Sequence, residues 1–402
     1  MHSQHDSLAA QRLAQISRAR QSVLADGDAV GTCESYPLGM GSDFDWIERS
    51  WRRCMAQGLR PEQHVGFDLV SAQQMRRVRE VHRPLVDAAR PVLQGLGRAT
   101  ASTRYFAILT DADGVVVDTA GAIDHSDARV HSIARVGVDL SERSIGTSAI
   151  SAALSERHPV WLHRGEHFFH DTSVYSCAGA PVFDANGRCT GMLDLTGIDA
   201  VERPELRHLV ARAARHIENA LVAGVTHRLL LRLNWPGQWD GGDGDGLLAL
   251  DAEGWVMGAN QVARQIVSGL AHAGGALHVE ELFAAPVHVL FDAARRSTHA
   301  DASVEIPLWS GLRVQIRAQV RAQIREQKRA QWAGEDPSPD AVAHADPALD
   351  APQVALPLKD LELTLVHQAV ANARGNVAQA ARALGISRAT VYRKLGRRQP
   401  ER

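Results

Sequence analysis

His163, His167 and His170, with Glu166 and Asp171 among them, place five potential metal donors within nine residues of this 402-residue chain. On a helix His163 and His167 would share a face, and neutral imidazoles suit zinc or iron. Gly165 interrupts such a helix, so the expectation is pocket or core histidines and no bound metal. Cys177 follows a Ser and precedes Ala178 and Gly179, with no Lys or Arg adjacent to lower its pKa. That is the setting of a small buried hydrophobe rather than a redox nucleophile. Asp111, Asp113, Asp118 and Asp124 crowd one stretch, but hairpin turns favour Asp for its bonds to nearby backbone. No set of acid, base and nucleophile emerges, so neither an enzyme nor a cofactor is expected.

The remaining chemistry is basic. From Arg374 to Arg402 there are seven Arg and one Lys against one Glu, a net +7, whereas the whole chain carries −2, which leaves −9 on residues 1–373. Charge gathered this way fits phosphates. Arg388 has the reach to meet base edges, while Ser387, Thr390 and Tyr392 suit phosphate contacts that position without specifying. Asn376, Arg393 and Lys394 complete the expected DNA-contacting set.

These residues need a scaffold, and residues 358–398 supply one. Leu361, Leu365 and Ala369 recur every four residues, as do Val377 and Ala381, and Val391 and Leu395, so three short helices can share one apolar core. Gly375 and Gly385 stop the first two helices in left-handed conformations, and Asn376 and Ser387 cap the second and third. The third is the reading helix. The string GNVAQAARALGISRATVYRKL, about forty residues with its flanks, resembles the Fis-type helix-turn-helix that closes bacterial sigma-54 activators. That resemblance implies double-stranded DNA as partner and binding as a homodimer, with half-sites one helical turn apart.

Upstream, residues 44–222 open with helical patterns, WIERSWRRCMAQGLRPEQ and a long amphipathic run from Ser71 to Gly97. Strands and turns follow between Arg104 and Leu221. YFAILTD and VVVDTAG make a hairpin; VWLH, CAGAPVFD and CTGMLDLTG add strands; helices over Thr147–Glu156 and Pro204–Val222 flank them. The expectation is an α+β sheet with its helices on one side. SWRRCMAQGLRP, ILTDADGVVVD, SERSIGTSAISAALSERHPV, GEHFF and CAGAPVFDANGRCTGMLDLTG, in that order, resemble the GAF-containing sensor region of regulators of acetoin and glycerol catabolism. The resemblance implies a domain that binds a small effector. Tyr105, Trp161, His163, Phe168, Tyr175 and Cys177 could line an apolar site with a few polar groups; the alternative is that they fill a core and the domain only dimerises.

Residues 243–325 read strand, turn, strand, helix and a closing hairpin, an order similar to a PAS-like α+β module or a degenerate connector. Residues 333–357, rich in Pro, Asp and Ala, read as a flexible linker, and residues 1–43 as a loosely ordered start. Sigma-54 activators place an ATPase between sensor and DNA-binding domain, and the roughly 130 residues between Ala223 and the terminal helices are too few for it. A phosphate-binding loop also needs Lys after Gly and before Ser or Thr. The three lysines, Lys328, Lys359 and Lys394, follow Gln, Leu and Arg. The resemblance to activators therefore stops short of their motor.

Composition sets the surroundings. Four cysteines with no CxxC pair suggest a reduced compartment, and neither a signal-peptide core nor a run of about 20 apolar residues is present. The expectation is a cytoplasmic, membrane-free transcription regulator that senses a metabolite and acts on DNA without hydrolysing ATP. The alternative is a ligand-binding accessory or dimerisation protein that modulates other regulators.

Overall fold

The computed structural model describes helical positions between 12 and 23, residues 45–237, 242–271, 275–296 and 303–320, and some positions from 366 to 391. Helix α1 covers 14–21. It presents Ile16, Ala19 and the nearby Val23 at spacings of three and four, all buried in the first domain's core. Order in this segment departs from the loosely ordered start expected of residues 1–43: the apolar stripe is short, but it has a core to enter.

Helix α2 (Asp45–Ala56) buries Trp46, Ile47, Trp51 and Cys54 in that core. The run read as one helix from Ser71 is two, α3 (Ala72–Val81) and α4 (Arg83–Thr100), parted at His82. Pro84 explains the break: its ring nitrogen has no hydrogen to donate to the carbonyl of Glu80, so helical bonding cannot run through it. Strands β1 (Tyr105–Asp111) and β2 (Val116–Gly121) form the expected hairpin. Asp111 Oδ1 accepts from the N–H groups of Asp113 and Val115, both at 2.9 Å, so this aspartate holds the turn. Three helices follow: α5 (Ala128–Ile133), α6 (Glu142–Ile145) and α7 (Ala149–Glu156). Then come β3 (Val160–His163), β4 (Tyr175–Phe183) and β5 (Cys189–Ile198), and α8 (Leu206–Gly224). The sheet order is β2-β1-β5-β4-β3.

Helices cover both faces of this sheet, not one. Phe106 and Ile108 of β1 share a core with Ala149 and Ile150 of α7. Leu85 of α4 lies on the other face, with Cδ2 2.9 Å from where a Cβ on Gly191 would stand, and Gly191 opposes Asp111 in the pairing. Every residue of β1 is buried, and a strand without polar alternation needs cover on both sides.

The second unit is another five-stranded antiparallel sheet, ordered β8-β7-β6-β10-β9. Its strands are β6 (Leu229–Asn234), β7 (Gly246–Leu250) and β8 (Val256–Ala259), then, after α9 (Gln261–Ile266) and α10 (Val287–Arg296), β9 (Val304–Pro307) and β10 (Arg313–Val320). The module expected from residue 243 thus lacks its own central strand, since β6 pairs with both β7 and β10. The run LLLRLN hid it: a strand buried on both faces reads as a plain apolar stretch, and this one directly follows a helix.

In the terminal segment, α11 (Val377–Ala383) starts at Asn376, whose Oδ1 accepts from the N–H groups of Ala378 at 3.1 Å and Gln379 at 3.2 Å. Val366, Ala381, Leu384 and Val391 form one small core with Ile386 packed against it. The linker expected at 333–357 lies outside the described residues.

Candidate functional site

The first domain contains a small pocket between its sheet, α7 and the loop after β3. Its walls are apolar, with Phe67, Ile108, Ile133, Leu140, Ile145 and Ile150 among them. Polar side chains enter it from Ser148, His167, Thr172, Tyr175, Cys177 and Thr196. None of the lining residues carries a formal charge at neutral pH.

Strand register decides which side chains arrive here. Leu162 opposes Cys177 and Thr196 opposes Phe106, so these four share the cavity's face. Trp161 and His163 alternate to the opposite face, as does Tyr105. Of the six residues expected to line a ligand site, Tyr175 and Cys177 lie in the wall of this pocket. Phe168 is fully buried in the same core, packed edge-on against Phe169 with ring centroids 5.1 Å apart. It also leans on Gly146, where an added Cβ would stand 2.8 Å from that of Phe168. Tyr105 donates to the carbonyl of Val201 at 2.9 Å. Trp161 stacks on His163, and His163 Nδ1 meets Ser176 Oγ at 2.6 Å.

His167, expected in the sequence as a pocket or core histidine but not among those six, also lines the pocket. It is 1% exposed, and its Nδ1 lies 2.9 Å from the carbonyl of Arg164. A carbonyl only accepts, so Nδ1 carries the hydrogen. Burial pushes the imidazole down to about 4, so the ring is neutral near pH 7. Nε2 is therefore a bare lone pair, buried and without a partner. His163 and His167 do not converge: β3 ends at His163, a tight turn over Arg164–Glu166 follows, and the two rings serve opposite faces of the sheet.

That turn is held from α1. Arg20 donates to the carbonyls of Gly165 at 2.9 Å, His167 at 2.5 Å and Phe168 at 2.8 Å. Arg12 pairs with buried Glu166 at 2.5 Å and lies 4.2 Å over the Trp161 ring. Glu166 in turn accepts from the His163 N–H at 2.6 Å. The N-terminal helix thus clamps the backbone that carries His167.

A second unusual group lies on the same sheet face. Asp194 opposes Ile108, is fully buried, and accepts a hydrogen bond from the Thr196 hydroxyl through Oδ2, while Oδ1 has no partner. Burial raises its carboxyl to about 7. Cys177 lies beside it, its Sγ 3.6 Å from Thr196 Oγ1, and burial together with Asp194 drives its thiol well above the ordinary value. Such a thiol stays protonated and is a poor nucleophile.

In the terminal segment, Arg388 is exposed and Thr390 half-buried, both in helical backbone. The side-chain oxygen of Asn376 caps α11. Ser387, Tyr392, Arg393 and Lys394 lie outside the described residues.

Two family profiles match these two regions. Residues 45–219 match "MimR, N-terminal domain", and residues 357–397 match "Bacterial regulatory protein, Fis family". The chain joins a MimR-type N-terminal domain to a Fis-family helix-turn-helix. Similar curated proteins include the acetoin catabolism regulatory protein of Cupriavidus necator, 32% identical over 61% of this chain and 37% of that one. The propane 2-monooxygenase operon transcriptional activator MimR of Mycolicibacterium smegmatis is 31% identical over 44% of this chain and 29% of its own length. The acetoin dehydrogenase operon transcriptional activator AcoR of Bacillus subtilis is 26% identical over 44% of this chain and 29% of its own. The chain thus spans about a third of the length of these relatives. Among solved structures, the E. coli DhaR(N)-DhaL complex is similar at 16% identity, a TM-score of 0.42, and coverage of 68% of this chain and 98% of that one. The cavity, α7 and the turn bearing His167 all fall inside the MimR-type domain. Between the two family matches lie residues 220–356, which include the second sheet and no Lys preceded by Gly.

Proposed function

We propose that this chain is a sequence-specific DNA-binding transcription regulator that works as a homodimer. Its MimR-type domain senses a small molecule in the buried cavity, and its Fis-family domain reads DNA. The carrying observation is the pairing of a helix-turn-helix of this family with a MimR-type domain that contains an apolar pocket.

The relatives' names place them in transcription control, which supports a regulator over an enzyme. No described helix is long and apolar enough to cross a membrane, and the cytoplasm is the compartment where such a protein meets DNA. Residues 220–356 offer no phosphate-binding loop, so action by occupancy of DNA, and not by ATP-driven remodelling of polymerase, is the mechanism we favour. Effector binding shifts the population of two dimer arrangements and with it the spacing of the two reading heads.

Genome-wide mapping of bound DNA in the source organism tests this reading. Discrete peaks centred on paired half-sites one helical turn apart, and lost on removal of residues 357–402, are expected. Diffuse or absent occupancy would leave the accessory-protein alternative in possession.

A further inference from the structure

We propose that two copies of this chain meet with helix α3 of one seated on the aromatic end of the second sheet of the other. This rests on the homodimer reading and names the surfaces that hold the pair.

α3 is a helix that its own domain scarcely uses. None of its residues is buried, although Met75, Val78 and Val81 recur every three residues on one face. Met75 and Val78 are half-buried, and Val81 is 61% exposed. Exposed Leu69 extends this stripe: Met75 Sδ and Leu69 Cδ2 lie 3.2 Å and 3.7 Å from where a Cβ on Gly137 would stand. At about 100° per residue, Arg77 and Arg79 flank the stripe on either side. Both are exposed and neither has an ion-pair partner among the described residues. The helix therefore offers an apolar ridge between two positive edges.

The second sheet carries a surface of the opposite kind. Trp255, Trp309 and Leu312 are exposed at one end of it, Trp309 at 68%. They gather about the turn Val279–Glu281. The Trp255 ring meets the His278 ring edge-on with centroids 5.2 Å apart, and Trp309 Nε1 donates to the carbonyl of Glu280 at 2.7 Å. Leu312 stands across a tight turn from Trp309, its carbonyl accepting from the Leu308 N–H at 2.8 Å. Glu253, Glu280 and Glu281, on the same segments, are exposed with no Lys or Arg in ion-pair reach among the described residues.

Charge selects the pairing. α3 against α3 would set arginines on arginines, and the aromatic ends against each other would set glutamates on glutamates. α3 on the aromatic end lays its apolar ridge on tryptophan and brings Arg77 and Arg79 to the glutamates and ring faces. Each copy carries one of each surface, so a pair makes the contact twice.

The test measures self-association of the full chain by analytical ultracentrifugation. Arg77→Glu with Arg79→Glu in one chain, and Glu253→Arg with Glu280→Arg in another, are each expected to weaken it about tenfold or more. Mixed together, the two variants are expected to pair at native strength, because each reversed surface meets its complement on the other copy. Glu280 Oε1 also accepts from the Val287 N–H at 2.8 Å; where its variant fails to fold, Trp309→Ala must weaken self-association about tenfold instead. Native-strength dimers from either variant alone, or variants that do not pair when mixed, overturn these surfaces and leave the homodimer standing. A native chain that stays monomeric removes the homodimer with them. Loss of DNA affinity without loss of self-association in Arg77→Glu with Arg79→Glu overturns the proposal and assigns α3 to phosphate contacts.

Discussion

At the scale of single residues, Asp194 and Arg388 make the clearest demands. Burial raises the Asp194 carboxyl to about 7, against about 4 for an ordinary aspartate. In the unfolded chain it ionises freely above about pH 4, while the folded chain resists ionisation until about 7. Its contribution to stability is therefore whole below pH 4, falls as pH rises toward 7, and is flat beyond. Asp194→Asn removes that penalty, so the melting temperature of the variant relative to the native chain should rise between pH 5 and pH 8; an equal difference at both would contradict the burial account. Glu218, also raised to about 7, and His167, lowered to about 4, are common to both proteins and cancel in the comparison. Arg388 is exposed on the segment matched to the Fis family. Arg388→Ala is expected to cost about 1–3 kcal/mol on the specific operator and much less on random DNA, if it reads a base. Equal losses on both would move it to the phosphate-contacting set.

At the scale of elements, the N-terminal helix and the turn it clamps carry the site. Ile16 is 2% exposed in the core, and Ile16→Ala should lower the first domain's stability by about 2–5 kcal/mol in chemical denaturation. A change under about 0.5 kcal/mol, the range of surface substitutions, would mean the helix does not stay docked. Gly146 ends α6 at φ +65 with Phe168 in its path. Gly146→Ala should cost about 1–3 kcal/mol through backbone strain alone, and more if Phe168 must move. Most elements were legible in the sequence because their periods are distinct: the β1–β2 hairpin, the strands holding Trp161, Cys177 and Leu193, and the capped α11 stand where the pattern puts them. What escaped is physical in origin. The strand Leu229–Asn234 is buried on both faces and has no alternation to read; Tyr105, Trp161 and His163 looked like lining because composition does not reveal which face a strand residue takes. His167 is visible in sequence, but its unpaired nitrogen is fixed by a hydrogen bond to Arg164 that only the turn creates.

At the scale of the whole molecule, the division of charge frames the account: residues 374–402 carry a net +7 and residues 1–373 a net −9. An acidic body repels nucleic acid, so DNA binding must come from the terminal segment and must weaken steeply with salt. ATP should leave DNA occupancy unchanged, since no lysine stands in a phosphate-loop position. The most direct measurement is fluorescence anisotropy of the full chain on a fragment from a mapped peak and on a scrambled fragment of equal length, across a salt series. The account predicts affinity for the mapped fragment about a thousandfold or more above the scrambled one at physiological salt, with log affinity falling linearly in log salt. Equal affinity for the two fragments, or no salt-sensitive binding to either, would contradict it.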